Sequence, residues 1–164
     1  MIQRIAWLLL VPLILKGQGS PLQAGKAAPA FELEQLGGGH LALAALRGKP
    51  VLINFWATWC TPCRTELPDI VAAFEAHRGD SLRVIGINLT DQEFMRDVRR
   101  FVADVKVPFP VLLDVRGRVR TSYALLSAPT TVFVDSGGVV RSVTRGPITR
   151  DGLERGLETI LTRP

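Results

Sequence analysis

The sequence predicts an α/β fold in which a mixed β-sheet is covered by helices on both faces. Two apolar runs rich in β-branched residues, Val51 to Trp56 and Leu82 to Leu89, are typical of strands buried on both sides. Segments with apolar residues at helical spacing follow each run. Near the C-terminus, two further strands flank the turn Asp135-Ser136-Gly137-Gly138. Alternating strands and helices that end in a hairpin indicate this class.

Length and composition are those of one globular domain. The chain has 164 residues, 47% of them hydrophobic, which is enough for a core of its own. We expect residues 1–24 to form a targeting segment and residues 25–164 to form the folded domain. The formal net charge is +5, and the basic residues are scattered along the sequence. They do not form the basic stripe that nucleic-acid binding requires. We therefore predict no nucleic-acid partner.

The first half of the domain begins with short elements. Phe31 to Leu33 is predicted to be an edge strand, followed by the turn Gly37-Gly38-Gly39 and a helical turn around Leu43 to Leu46. The buried strand Val51 to Trp56 then leads into a helix from about Pro62 to His77, whose apolar residues recur at helical spacing.

The second half continues the alternation. After Leu82 to Leu89, the spacing predicts an amphipathic helix over Asp91 to Val105, with Phe94 on its apolar side. A short strand, Val111 to Leu113, and a helical turn around Val119 to Ala124 come next.

The last elements are a hairpin and a helix. Thr130 to Val134 and Val139 to Val143 are predicted to pair across their turn. Thr149 is predicted to cap the final helix.

The first residues have the pattern of an export signal. Arg4 precedes the apolar run Ile5 to Leu15, whose eleven residues lie within the roughly 7–15 of a signal sequence and below the about 20 of a bilayer crossing. Pro12 interrupts the run. Gly17-Gln18-Gly19 and Leu22-Gln23-Ala24 both resemble cleavage sites, so a cleaved signal and a short membrane anchor stay open. Either one predicts export.

The two cysteines stand where a buried strand meets a helix. The spacing of Cys60 and Cys63 places both sulfurs on one face of the first helical turn, within disulfide reach. Cys60 faces the unpaired N–H groups and the positive end of the helix dipole, which favour a thiolate. Pro62 is compatible with a first helical turn. The pattern predicts a redox pair in which Cys60 attacks and Cys63 resolves the mixed disulfide.

Other uses of the pair fit less well. A disulfide that closes so short a loop removes only about 2 kcal/mol of unfolded-state entropy. Zinc needs two further ligands, and His40 and His77 lack the paired spacing of a zinc finger. Covalent haem attachment needs a histidine where Arg64 stands. We predict no cofactor and no metal, although two thiolates at this spacing could hold Cu(I) without turnover.

Two further positions are candidates. Glu66 lies one turn beyond Cys63, where a partly buried carboxylate could exchange a proton with it; a solvated glutamate stabilised by the helix dipole is the alternative. Pro129 precedes the strand Thr130 to Val134, and composition does not decide whether its peptide bond is cis.

Several segments resemble the thioredoxin-like TlpA/ResA proteins, from roughly Gly25 to the C-terminus. The segments that carry the resemblance are Asn54 to Cys63, Glu66 to Pro68, Val84 to Thr90, Phe109 to Asp114 and Ala128 to Asp135.

The resemblance implies a thioredoxin-like fold with an N-terminal β extension and an extra helix–strand insertion. It implies that Cys60 is the nucleophile, that Cys63 resolves, and that Pro129 is a cis-proline packed against the disulfide. A substrate strand would pair beside Pro129, with Ala128 and Trp59 also in the substrate-binding set.

The resemblance also bears on proton transfer and on partners. Thioredoxins carry aspartate where Asn54 stands, so Glu66 becomes the candidate proton acceptor. Members of this family are typically exported and held at the membrane, and many reduce apocytochrome c before haem ligation. We therefore expect an extracytoplasmic reductase, in the periplasm or on the outer face of the cytoplasmic membrane. Its expected partners are proteins with disulfides, among which apocytochrome c is one candidate, and a membrane thiol donor. A disulfide-forming oxidase and a copper-handling module are the alternatives.

Overall fold

The computed structural model describes residues 22–161 and contains one seven-stranded mixed sheet, in the order β2-β1-β5-β4-β3-β6-β7. The strands are β1 (Glu32–Gln35), β2 (His40–Ala42), β3 (Val51–Trp56), β4 (Arg83–Asn88), β5 (Val111–Leu113), β6 (Thr130–Val134) and β7 (Val140–Arg145). The α-helices within these residues are α1 (Thr61–Ala76), α2 (Met95–Val105), α3 (Arg118–Ser122) and α4 (Arg150–Leu161). Single 3-10 turns cover Leu43–Leu46 and Thr90–Gln92.

Strand β3 lies near the middle of the sheet and is buried along its whole length. It pairs in parallel with β4 and antiparallel with β6, so its C-terminal end, where α1 begins, has a strand on either side. One face of the sheet packs around Trp56, Leu67 and Leu157, and the other around Phe55 and Tyr123. The prediction of a thioredoxin-like α/β fold is confirmed.

Two glycines let elements approach closely. A Cβ on Gly86 would lie 2.9 Å from Nε1 of the buried Trp56. A Cβ on Gly156 would overlap the ring of Phe133, so α4 can rest on β6 only because this residue has no side chain. The helix on that face therefore sits closer to the sheet than any larger residue would permit.

The N-terminal strand differs from its prediction. β1 begins at Glu32 rather than Phe31, and it lies between β2 and β5 instead of at the edge of the sheet. The edge position belongs to β2, which was not predicted because three residues after a glycine turn carry too little of an alternating pattern.

The predicted helix over Asp91–Val105 is interrupted, and this prediction was wrong in its first turn. A 3-10 turn ends at Gln92, Glu93 is extended, and α2 starts only at Met95. The Glu93 carboxylate accepts hydrogen bonds from Asn88 and from the backbone of Thr58, which holds the chain away from helical geometry. Phe94, predicted on the apolar side, is 76% exposed as a result.

The other elements agree closely with their predictions. β3, β5 and β6 match residue for residue, while β7 runs two residues past the predicted end, with a register shift at Phe133/Val134. Thr149 Oγ1 accepts the N–H of Gly152 at 3.2 Å and so caps α4 as predicted.

The chain is already packed at the first described residue. Leu22 is buried, and its carbonyl accepts a hydrogen bond from the Arg145 guanidinium at 3.2 Å. Residues 1–21, which hold nearly all of the expected targeting segment, lie outside the described residues. Between residues 22 and 161, no helix is long and apolar enough to cross a membrane.

Candidate active site

Cys60 and Cys63 form a disulfide at the N-terminus of α1, with Cα atoms 5.3 Å apart. A turn closed by the Cys60 N–H and the Ala57 carbonyl, 3.2 Å apart, joins β3 to the helix. Cys60 is the N-cap residue, and its Sγ accepts the N–H of Cys63 at 3.2 Å. The helix end thus offers a backbone donor and its dipole to this sulfur, as the spacing predicted.

Arg64 carries a positive charge next to the disulfide. Its guanidinium lies over the ring of Phe101 on α2, 4.4 Å from the centroid. The ring of Trp56 also stacks on Phe101, with centroids 4.7 Å apart. Stacking of this kind fixes both the cation and the packing of α1 on α2.

The residues implied as substrate-binding differ in exposure. Trp59, directly before Cys60, is 56% exposed. The Ala128–Pro129 peptide bond is cis, Pro129 is buried, and half-buried Ala128 packs against the core cluster that contains both cysteines. Leu126, in the same loop, is 90% exposed. An exposed aromatic residue, Trp59, thus directly precedes the first cysteine of an almost fully buried disulfide.

Glu66 is fully inside the protein rather than partly buried. Only 3% of the residue is exposed, and both carboxylate oxygens have partners. Oε1 accepts from Nδ2 of Asn54 at 2.8 Å, and Oε2 accepts from the backbone N–H of Ile148 at 2.9 Å. Burial raises the pKa of Glu66 above the ordinary value of a glutamic acid, and the hydrogen bonds from Ile148 and Asn54 offset part of that effect.

A cavity connects Glu66 to the surface. It has a volume of about 450 Å³ and is open to solvent. Its lining residues come from the first turns of α1 and from the segment before α4, and are Thr61, Pro62, Thr65, Glu66, Asp69, Pro147, Ile148 and Thr149. Glu66 therefore lines a solvent-open cavity at the start of the helix that carries both cysteines.

A second carboxylate fixes the loop before Cys60. Oε1 of Glu93 accepts the N–H of Thr58, and Oε2 accepts from Nδ2 of Asn88 at 2.8 Å. Thr90 completes the cluster, because its hydroxyl donates to Oδ1 of Asn88 at 2.8 Å. These contacts tie the end of β4 and the start of α2 to the active-site loop.

Sequence reasoning did not find the roles of Asn88 and Glu93, nor the hydrogen bond from Asn54 to Glu66. Asn54 and Asn88 each stand inside an apolar strand, and both are fully buried. A buried polar side chain needs a hydrogen-bonding partner, so an asparagine in such a run signals that one exists. The signal does not say which residue it is.

The sequence as a whole matches a known family. Residues 24–143 match the model of the AhpC/TSA family. The chain is 37% identical over 138 residues to the thioredoxin-like protein YneN of Bacillus subtilis; the aligned region covers 84% of this chain and 80% of YneN. It is 32% identical over 136 residues to the thiol-disulfide oxidoreductase ResA of Geobacillus kaustophilus, covering 83% and 77%.

Solved structures agree. A Chlorobium tepidum protein assigned as the thiol:disulfide interchange protein DsbE superimposes with a TM-score of 0.80 at 28% identity, covering 86% of this chain and 99% of that one. StoA of Bacillus subtilis superimposes with a TM-score of 0.70 at 27% identity, covering 79% and 97%. Taken with the Cys60–Cys63 disulfide at the start of α1, these likenesses show that the chain belongs to the AhpC/TSA family and is a thioredoxin-like thiol–disulfide oxidoreductase of the ResA/DsbE type.

Proposed function

We propose that the protein is an extracytoplasmic reductase that transfers two electrons from its dithiol to disulfides of partner proteins. The observation that carries the proposal is the position of Cys60. Its sulfur accepts a backbone N–H at the positive end of a sixteen-residue helix, beside exposed Trp59. That environment stabilises a thiolate, which is the attacking species.

In the proposed reaction, the Cys60 thiolate attacks one sulfur of the partner disulfide and expels the other as a thiolate. Cys63 then loses its proton to Glu66 and attacks Cys60 Sγ, which forms the Cys60–Cys63 disulfide and releases the second partner thiolate. Two electrons thus pass to the partner, which leaves as a dithiol once its two thiolates are protonated, one by the proton held on Glu66 and one by the proton that Cys60 had lost to solvent. A membrane thiol donor returns the enzyme to its reduced form.

The buried carboxylate supports the assignment of Glu66 to this step. Burial raises the pKa of Glu66, which brings its proton affinity closer to that of a thiol, and Glu66 lines a cavity that is open to solvent. Ala128, Pro129 and Trp59 are proposed to contact the substrate around the disulfide.

Insulin-disulfide reduction tests the activity. Cys60→Ser should abolish it while leaving the far-UV circular dichroism spectrum and the Tm close to those of the reduced wild type. Retained activity would reject the proposal. A reduction potential near or below about −230 mV fits a reductase, whereas one near about −120 mV fits a disulfide-forming oxidase.

The partner can be trapped. Cys63→Ser should leave the mixed disulfide at Cys60 unresolved, so that mass spectrometry identifies the attached protein in the host. Apocytochrome c is among the proposed substrates on family resemblance alone, and its absence from trapped material would remove it.

Export is proposed from the pattern of residues 1–20, with the folded domain outside the cytoplasm. Because Leu22 is buried and bonded to Arg145, we place any cleavage after Gly19 rather than after Ala24. N-terminal sequencing of the exported protein should read Ser20 first if the segment is removed. A cytoplasmic location in fractionated host cells would contradict the proposal.

A further inference from the structure

The amide of Asn54 lies between Glu66 and the strand that follows Pro129. Its Nδ2 donates to Oε1 of Glu66 at 2.8 Å and to Oγ1 of Thr131 at 3.2 Å. Asn54 and Thr131 are register partners of the β3–β6 ladder, and neither is exposed. One amide therefore joins the buried carboxylate to the substrate-binding side of the site.

The same amide leaves its oxygen unused. Oδ1 of Asn54 is buried, and no donor within residues 22–161 reaches it. Buried polar atoms are nearly always paired, so an unpaired oxygen beside a titratable group calls for a physical reason.

The two ends of an asparagine amide have almost the same shape. A half-turn about the Cβ–Cγ bond places Oδ1 where Nδ2 was, facing Glu66 and Thr131. There the oxygen accepts a hydrogen bond from a protonated Glu66 and from the Thr131 hydroxyl, while Nδ2 takes the unpaired place. The half-turn exchanges one unpaired atom for another and keeps both contacts.

The protonation of Glu66 decides between the two orientations. Oε2 accepts the N–H of Ile148. Because a backbone N–H can only donate a hydrogen bond, Oε2 must stay an acceptor, and the proton must reside on Oε1. A protonated Oε1 would meet the Nδ2 hydrogens of Asn54 donor to donor. We propose that Asn54 is a positioning residue whose amide reverses when Glu66 gains its proton, so that the carboxyl group stays in place in both states.

Two other ionisable residues lie near Glu66. Ionisable groups near Glu66 include Cys63, one helical turn away on α1 and held in the disulfide, and Asp69, which lines the same cavity. Asp69 is paired with Arg150 of α4 at 2.8 Å near the surface. Asp69 therefore has a cationic partner of its own on α4.

The inference rests on the proposed function only in one respect, the transfer of the Cys63 proton to Glu66 during turnover. Reversal of the amide is an equilibrium property of the oxidised protein and requires no turnover. Failure of insulin reduction would therefore sink the proposed function without touching this inference.

The experiment follows the side-chain amide of Asn54 by ¹H–¹⁵N NMR in the oxidised protein as the pH is raised. We expect its two proton signals to shift with the same midpoint as the Glu66 carboxyl carbon. Amide signals that stay constant while Glu66 titrates would overturn the inference.

Glu66→Gln is the matched variant. To keep the bond from Ile148, the introduced glutamine turns its oxygen to that N–H and its amide nitrogen to Asn54, which locks Asn54 in the reversed orientation. The Asn54 signals should then stay at their low-pH wild-type positions at every pH. Signals at the high-pH positions in this variant would contradict the proposal, and the wild-type titration decides the matter if the variant does not fold.

Discussion

Two asparagine–glutamate pairs flank the active-site disulfide, on neighbouring parallel strands. Asn54 of β3 donates to Glu66, and Asn88 of β4 donates to Glu93, each from Nδ2 at 2.8 Å. In both pairs the glutamate also accepts a backbone N–H, from Ile148 in the first and from Thr58 in the second.

The pairs differ in burial and in how the amide oxygen is used. Glu66 is buried and burial raises its pKa, whereas Glu93 is half-buried. Oδ1 of Asn88 accepts the Thr90 hydroxyl at 2.8 Å, but Oδ1 of Asn54 has no partner in the described chain. In the first pair, burial raises the pKa of the glutamate. In the second pair, both glutamate oxygens and the asparagine amide have partners, so the pair anchors the active-site loop.

The largest expected difference is in activity. Glu66→Gln should lower the rate of insulin reduction at pH 7 by about 100-fold, because general acid–base catalysis contributes about that much and Cys63 loses its proton acceptor. Stopped-flow measurement of mixed-disulfide decay locates the loss in the second step. Glu93→Gln, the matched control, should leave the midpoint of the pH–rate profile in place; a moved midpoint would mean that the two glutamates share one role.

The pairs should also differ in how stability depends on pH. Because the folded state holds the Glu66 proton to a higher pH than the unfolded chain, unfolding releases a proton between the two pKa values. The free energy of unfolding should therefore fall as the pH rises from the unfolded pKa, near 4.5, through the raised folded value.

Urea denaturation at several pH values checks this expectation. Glu66→Gln should remove that part of the slope, so that the variant gains stability relative to wild type as the pH rises. Glu93→Gln, measured at the same pH values, is the comparison variant. An unchanged slope in Glu66→Gln would show that Glu66 does not titrate in this window.

Removal of the anchor should cost stability. Glu93→Ala leaves the Thr58 N–H and Nδ2 of Asn88 without their acceptor, and each lost partner at a buried donor costs about 1–3 kcal/mol. Because Thr58 and Glu93 are only partly buried, we expect about 2 kcal/mol in total. The urea midpoint should fall at constant m value; a midpoint equal to that of wild type would show that the anchor contributes nothing to the fold.

The smallest expected effect on stability comes from removing the partner of Oδ1 of Asn88, so that this oxygen is unpaired like Oδ1 of Asn54. Thr90→Val removes the hydroxyl that pairs with Oδ1 of Asn88, at a cost of about 1 kcal/mol, while Thr90→Ser retains it. Thermal unfolding of the two variants compares them directly. Equal Tm values would show that an unpaired amide oxygen is as well tolerated in the second pair as in the first.

Local pattern was enough for the elements with strong signals. β3, β5 and β6 were predicted residue for residue, since each is a short run of residues that favour strands between clear turn signals. The break before α2 was not predictable from helical spacing. Glu93 is extended because its carboxylate accepts hydrogen bonds from Asn88 and Thr58, and these contacts depend on how the loop and the end of β4 are placed in the fold. The exposure of Phe94 follows from that break.

By itself the sequence determined the fold class, the strand-to-helix position of Cys60 and Cys63, and the candidacy of Glu66. These depend on spacing along the chain, which sets the faces of a helix or strand without reference to anything else. Only the tertiary structure decided what surrounds Glu66. Its two partners come from 12 and 82 positions away, and the proton affinity of a carboxyl group depends on such neighbours and on the exclusion of water.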